Sequence, residues 1–383
     1  MQRPRRHPAS RTAPAAPLLA TSALVALLAT GCTTEEPPAT APAAESAAPI
    51  PVRVVVVTMF EHGEVRGDRP GELQSWVERW PLDVEHPFPA GEFPLYGSRD
   101  GVLAICTGGG IANATASIMA LGMDPRFDLS DAYWLVAGIS GGDPEDTSLG
   151  SAVWARHVVD GDLLYEIDAR EIPDDWPWGL IPLGAKEPAV TAEDLYTGWT
   201  LDTVHFALDA GLADWALSVT RDIELEDTPA MAEFRERFTA HPEARRPPRV
   251  MAGDTLAAGT YWHGVNLNAW ANSWVKLYAG QDAEFVTTNM EDSGTLTALH
   301  RLGRIDRVDP GRVMVLRTVS NFSMPPEGES ATWSTTAPYP DQGRPALDAA
   351  FRVGSEVVRT LVQDWDRYAD QLPSSEPTSG APQ

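Results

Sequence analysis

The 383 residues are 43% hydrophobic and 22% charged, with charges spread along the chain, so the sequence can bury one large core or two smaller ones and is not a disordered polymer. With 54 acidic against 29 basic residues the net charge is −25, which repels phosphate backbones and excludes nucleic acid as a natural partner while leaving a small neutral or cationic ligand unopposed.

The chain opens with Arg3, Arg5, Arg6 and Arg11 ahead of an apolar run, PLLATSALVALLATGC, too short and too poorly flanked to span a membrane comfortably. That is the pattern of an export signal. Ala29-Thr30-Gly31-Cys32 resembles a bacterial lipobox, with Ala29 where a larger aliphatic residue is usual. Residues 1–32 are therefore expected to be a lipoprotein signal, with Cys32 the lipidated first residue of a protein exported and anchored to the bacterial cell envelope, at a periplasmic or outer surface. An ordinary signal peptide with a stray cysteine is the alternative. Loss of the four arginines would take the net charge from −25 to −29. Residues 33–51, rich in Pro, Ala, Thr and Glu, read as a flexible tether, residues 52–372 as the folded part and 373–383 as a disordered tail. Once Cys32 is lipidated, Cys106 has no partner for an intrachain disulfide and reads as a small core residue.

From Val52 the pattern alternates between strand and helix. VRVVVVTMF is a near-continuous β-branched run, as in a strand buried on both faces. A helix is expected around Glu72 to Trp80, then the strand GVLAICT, a triple glycine, and the helix IANATASIMALG closed by Gly122. YWLVAG and SAVWARHVV are further strands. Residues about 190–245 break the rhythm, with Trp199, Phe206, Trp215 and Phe234 in helix-like patterns, and read as a helical insertion or cap. Alternation then returns: the strand RVMAGD, a helix over Val265 to Tyr278, the strand AEFVTT, a helix from Met290, the strand RVMVLRTVS, and an amphipathic helix from about Ala346 to Leu372. The order implies an α/β fold, a mostly parallel twisted sheet between helices.

Several local motifs fail on inspection. Gly138 to Gly142, GISGG, fits the nucleophile-elbow pattern, but a loop of turn formers follows where a helix is required, so Ser140 is not read as an acyl nucleophile. TGGGIANA has Asn113 at the third glycine position of a dinucleotide fingerprint, no Gly-Lys-Ser/Thr appears, and the eight histidines show no metal-ligand spacing. Neither a metal nor a cofactor is expected. Asn289-Met290-Glu291-Asp292 places an acid pair where a strand gives way to a helix; its bland reading is a helix cap, with Asp292 capping or facing solvent.

Taken in order, these pieces carry more than any one of them. A strand ends in a Gly-rich turn, another in Gly-x-Ser-Gly-Gly, a third in Met-Glu and a last one in Ser-Asn, and loops at the ends of such strands converge on one crevice. TGGGIANATASIMALG, YWLVAGISGGDPEDTSLGSAVWARHVVDGDL, FVTTNMEDSGTLTAL and VMVLRTVSNFS, in this order, make the chain from Val52 to Leu372 similar to the purine nucleoside permease family of the nucleoside phosphorylase-like superfamily. The resemblance implies a nucleoside phosphorylase-like fold and a purine nucleoside ligand, bound by Gly109, Gly110, Ser140, Gly141, Met290, Glu291 and Asn321. Met290 would pack on the ribose and the Glu291 carboxylate would accept from its hydroxyls, in short charge-assisted bonds. Asn321 matches the position beside purine N7, where it can hydrogen-bond a leaving base but transfers no proton. In phosphorylases of the group the loop after the first strand holds phosphate; here it reads TMFEHGEVRGD, with Arg66 and Arg69 but also Glu61 and Glu64, which read first as solvated loop acids and, as the resemblance to the hydrolytic relatives implies, alternatively as a water-activating base.

Two functional classes follow. One is a nucleoside-binding lipoprotein serving uptake or salvage; uptake would require a separate membrane transporter, because no segment after residue 32 approaches about 20 consecutive apolar residues. The other is an enzyme cleaving the N-glycosidic bond, a nucleosidase or a phosphorylase with phosphate as co-substrate. Similar proteins are often oligomeric, so a homodimer is a further expectation.

Overall fold

The computed structural model describes residues 48–188, 191–195, 202–337 and 339–374. The signal, Cys32, the tether up to residue 47, Trp199 and the tail from 375 lie outside the described residues.

Ten strands form the main sheet: β1 (Val54–Thr58), β2 (Val84–His86), β3 (Leu95–Gly97), β4 (Val102–Cys106), β5 (Tyr133–Gly142), β6 (Ala152–Asp160), β7 (His205–Ala207), β8 (Val250–Ala257), β9 (Phe285–Asn289) and β10 (Val313–Phe322). The strand order is β7-β6-β8-β9-β5-β1-β4-β3-β2, and β10 pairs with both β5 and β6. Because β9 also pairs with β5, the strands β5, β10, β6, β8 and β9 close into a ring. The sheet is mixed: five pairings are parallel, and these are the longer ones, and five short ones are antiparallel. Two things cause this. Short hairpin connections put β2 and β3 antiparallel at one edge, and closing the ring sets β5 and β10 against β6 and β9.

Helices cover both faces. The alternation of β1 makes this direct: Val54 and Val56 share one core with Trp76, Leu135, Leu316, Phe351 and Val357, while Val55 and Val57 share another with Ile105, Ile118, Trp134, Leu299 and Val315. On the first side lie α1 (Gln74–Arg79), α3 (Ala210–Thr220) and the long α7 (Arg344–Gln363). On the second lie α2 (Ile111–Gly122) and α6 (Asp292–Gly303), packed so closely that a Cβ on Gly294 would stand 2.3 Å from the Ile111 carbonyl oxygen. The last two helices are α4 (Pro229–Arg235) and α5 (Val265–Ala279).

The helix expected to run to Leu372 instead breaks at Asp364 and resumes as a single turn, Trp365–Tyr368. Within the segment read as helical, the described residues supply α3, α4 and the edge strand β7. Cys106 is buried, and burial pushes its thiol up to about 12.

Candidate functional site

Three strand ends meet at one end of the ring. β9 meets β5 with Thr287 opposite Gly142 and Thr288 opposite Gly141, and β10 meets β5 with Val319 opposite Ser140 but Asn321 opposite Gly141. The one-residue slip at Ser320 is a bulge, a device that re-aims a side chain at the end of a ladder. Its consequence is that Asn321 arrives beside Gly141, where a Cβ would already stand 3.4 Å from Nδ2 of Asn321 and 3.0 Å from the Thr288 methyl.

A cavity of about 260 Å3 opens there, of small-molecule size. Its floor is Ile139, Ser140, Gly141, Thr288, Met290, Glu291, Ser320 and Asn321. Walls come from the loop after β1 (Phe60, His62, Arg69, Pro70), the loop after β8 (Tyr261, Trp262) and the approach to α7 (Tyr339, Gln342, Gly343, Arg344). Ser140 lies inside strand β5, so the strand-to-helix elbow an acyl nucleophile needs is absent at that position. Its hydroxyl is buried with no partner.

Glu291 precedes α6, yet it is Asn289 that caps the helix: its Oδ1 accepts from the backbone N–H groups of Glu291 (3.1 Å) and Asp292 (2.9 Å). The Glu291 carboxylate is thereby left for other work. Its Oε1 accepts from the Gly110 N–H at 3.1 Å and its Oε2 from Met290 N–H at 3.2 Å, with the Arg317 guanidinium 3.6 Å away. Gly110 can present that N–H because its φ of 91° lies in the left-handed region that glycine tolerates. Burial raises the Glu291 pKa, and Arg317 opposes the rise.

Behind Glu291 is a buried charge cluster that sequence reasoning missed. Arg317, 1% exposed, forms a two-pronged pair with Asp292 and donates to the Ile139 carbonyl at 3.0 Å. Asp292 is fully buried, which corrects the expectation of a capping or solvent-facing residue. Glu72 accepts from Met59 N–H and Ile139 N–H, each at 2.7 Å, and so ties the ends of β1 and β5 together. Burial pushes its pKa up to about 8, against the pull of Arg317. Three carboxyl groups around one guanidinium cannot all ionise cheaply, and burial lets Glu72 hold its proton near neutrality.

Other expected residues fall elsewhere. Glu61 does not line the cavity: its carboxylate accepts from the backbone N–H groups of His62 (2.8 Å), Gly71 and Gln74 (2.6 Å), folding its own loop and capping α1. Glu64 is exposed and borders a separate hollow with Arg66, Asp83 and Glu85. Neither stands where a water-activating base would. Arg66 is engaged with the carbonyls of Val77 and Leu82, whereas Arg69 lines the cavity. Gly109 is exposed and its carbonyl accepts from Asn113; Gly110 acts through Glu291. None of the described residues of the 190–245 segment lines the cavity.

Residues 51–373 match the family model described as purine nucleoside permease. The chain is 32% identical over 271 residues to the purine nucleoside permease of Candida albicans, covering 70% of this chain and 65% of that protein, so the match leaves about a third of the relative's length unaccounted for. It is 29% identical over 274 residues to a probable purine nucleoside permease of Schizosaccharomyces pombe, covering 70% and 77%. Among solved structures, a 5′-methylthioadenosine/S-adenosylhomocysteine nucleosidase of Neisseria meningitidis overlaps 81% of this chain and 99% of its own at 17% identity and a TM-score of 0.47. The futalosine hydrolase of Helicobacter pylori overlaps 80% and 98% at 13% identity and a TM-score of 0.46.

Proposed function

The chain belongs to the purine nucleoside permease family, and from that premise we propose that its cavity binds a purine nucleoside, with the ribose at Glu291 and the base at Asn321. The single observation that supports the reading is that these two side chains, 30 positions apart in the sequence, line the same cavity with Met290 between strand and helix. A carboxylate that accepts from two backbone N–H groups is held rigid, with lone pairs remaining for a cis-diol. Asn321 marks the base end of the cavity with a neutral side chain.

In this reading the protein is an exported lipoprotein, lipidated at Cys32, that holds nucleosides at the cell envelope for uptake or salvage. Among the described residues no helix is long and apolar enough to cross a membrane, so translocation is assigned to a separate membrane protein. A homodimer that completes the site remains part of the proposal.

The second reading is cleavage of the N-glycosidic bond. Glu72 favours it: its buried carboxyl accepts from the N–H of the cavity-lining Ile139 at 2.7 Å, and burial pushes its pKa up to about 8. Phosphate, if it is the attacking group, would meet Arg69 and Arg344 at the cavity wall.

One experiment separates the two. Purified protein is incubated with inosine, adenosine and guanosine, with and without phosphate, while affinity and free base are both measured. Affinity without base release is the expected result. Release that needs phosphate would replace the binder with a phosphorylase, release without it with a hydrolase, and no affinity for any of the three would overturn the assignment.

A further inference from the structure

The Asn321 amide is oriented by its neighbours. One of its terminal atoms lies 3.3 Å from the Phe322 carbonyl oxygen and 3.0 Å from the Tyr261 hydroxyl, and the other lies 3.0 Å from the Ser320 hydroxyl, whose single proton turns to it in place of the Ser140 carbonyl 3.1 Å away. A backbone carbonyl can only accept, so the atom facing it must be the amino nitrogen. Both of its protons are then engaged, one by Phe322 and one by Tyr261. Asn321 therefore has no donor left for a ligand.

The direction of the bond propagates. Tyr261 accepts from Asn321, which leaves its single hydroxyl proton for its other neighbour, the Tyr339 hydroxyl at 3.0 Å. Tyr339 in turn accepts from Tyr261 and keeps its own proton. Its hydroxyl has no other hydrogen-bond partner among the described residues, and the side chain lines the cavity. Tyr339 is also held in place: two residues on, the Asp341 carboxylate accepts from the Thr228 hydroxyl at 2.5 Å, and three successive left-handed residues, Asp341, Gln342 and Gly343, turn the chain into α7.

We infer that Tyr339 is the hydrogen-bond donor at the base end of the site, aimed at a lone-pair nitrogen or carbonyl oxygen of the bound base, and that Asn321 is a positioning residue that sets the polarity of the chain through Tyr261. The identity of the ligand rests on the purine nucleoside reading above; the chain of donors does not. The base end thus selects for an acceptor, delivered by a phenol that neither the Met-Glu nor the Ser-Asn motif announces.

The test is calorimetric titration of the wild type and Tyr339→Phe with a purine nucleoside and its 1-deaza, 3-deaza and 7-deaza analogues. The ring and its packing are kept in the variant, and Tyr339 is 41% exposed, so folding is not at stake. The expected result is that Tyr339→Phe weakens the parent nucleoside by about tenfold, the equivalent of one net hydrogen bond. Wild type and variant should bind equally any analogue that lacks the accepting atom, and if the acceptor is an exocyclic oxygen the nucleoside without that oxygen takes this place. Equal binding of the parent nucleoside by wild type and variant would overturn the inference while the nucleoside assignment stands. Failure of the wild type to bind any purine nucleoside would overturn both.

Discussion

The two ends of the cavity are built from opposite materials. At the Glu291 end, three carboxyl groups and one guanidinium are buried together: Glu72, in the turn before α1, bridges β1 and β5, Arg317 projects from β10, and Asp292 opens α6. At the Asn321 end the hydrogen-bonded chain of Asn321, Tyr261 and Tyr339 is neutral, placed by a bulge and by two loops, and Tyr261 and Tyr339 are 52% and 41% exposed. A buried ion cluster has few alternative arrangements, because each member left alone would be an uncompensated charge. A chain of amide and hydroxyls can rearrange within water-accessible space at a cost near that of one hydrogen bond. The first end should therefore couple ligand binding to folding, and the second should tune the ligand with little effect on folding.

The largest effect should come from Arg317→Met. The change removes the guanidinium paired with fully buried Asp292, and loss of one partner of a buried pair costs about 3–5 kcal/mol. Urea denaturation should show that loss, whereas Asn321→Ala should cost no more than about 1.5 kcal/mol. Equal costs at the two sites would break the comparison outright.

The pH dependence of stability should show the same asymmetry. Glu72 has its pKa raised from 4.5 to about 8 in the folded protein. Between those values the unfolded chain has released the proton that the folded chain still holds, so stability is greatest below pH 4.5 for this group and falls as pH rises through about 8. Other buried acids with raised pKa values, Asp146 at about 7 among them, slope the same way, so the diagnostic quantity is a difference. Glu72→Gln should flatten the curve relative to the wild type across this window, by an amount on the order of several kcal/mol. An unchanged slope would mean that Glu72 is ionised in the folded state.

Ligand binding provides the next test. Glu291→Ala should weaken ribonucleoside binding by about 1–3 kcal/mol, as expected for charge-assisted hydrogen bonds, and weaken the free base much less. Equal loss for nucleoside and base would place the sugar elsewhere.

The two ends also differ in how far the sequence revealed them. The strand VVVV and the helix over 111–122 are legible because their patterns are local: an all-buried run and an apolar stripe between Gly110 and Gly122. That Met290, Glu291 and Asn321 line one cavity is legible in the order of strand ends. Arg317 was not, because in RVMVLRTVS it is one charge in an apolar strand whose partner lies 25 positions away. Nor was Glu72, which reads as the acid that opens a helix until Ile139, 67 positions on, is found donating to it. The antiparallel pairings of β9 with β5 and of β10 with β6 follow from ring closure, and the bulge at Ser320 from register; neither leaves a periodic trace. The acid pair shows the same limit in miniature, since capping was assigned to the acids and Asn289, two residues earlier, performs it.

The smallest effect is the most selective. Asn321→Asp keeps the size of the side chain but replaces the amino group with a second acceptor, which the Phe322 carbonyl 3.3 Å away cannot satisfy. Tyr261 must then donate to residue 321 instead of accepting from it, Tyr339 must donate to Tyr261, and the cavity is left with an acceptor where it had a donor. Stability should change by less than about 1.5 kcal/mol. The ligand preference should invert, with parent nucleosides losing about 1 kcal/mol and ligands carrying a proton at the same position gaining a comparable amount, measured by the same titration. If instead all ligands weaken together, the exposed end behaves as one more fixed charge site, and the contrast between a rigid ionic end and an adaptable neutral one is lost.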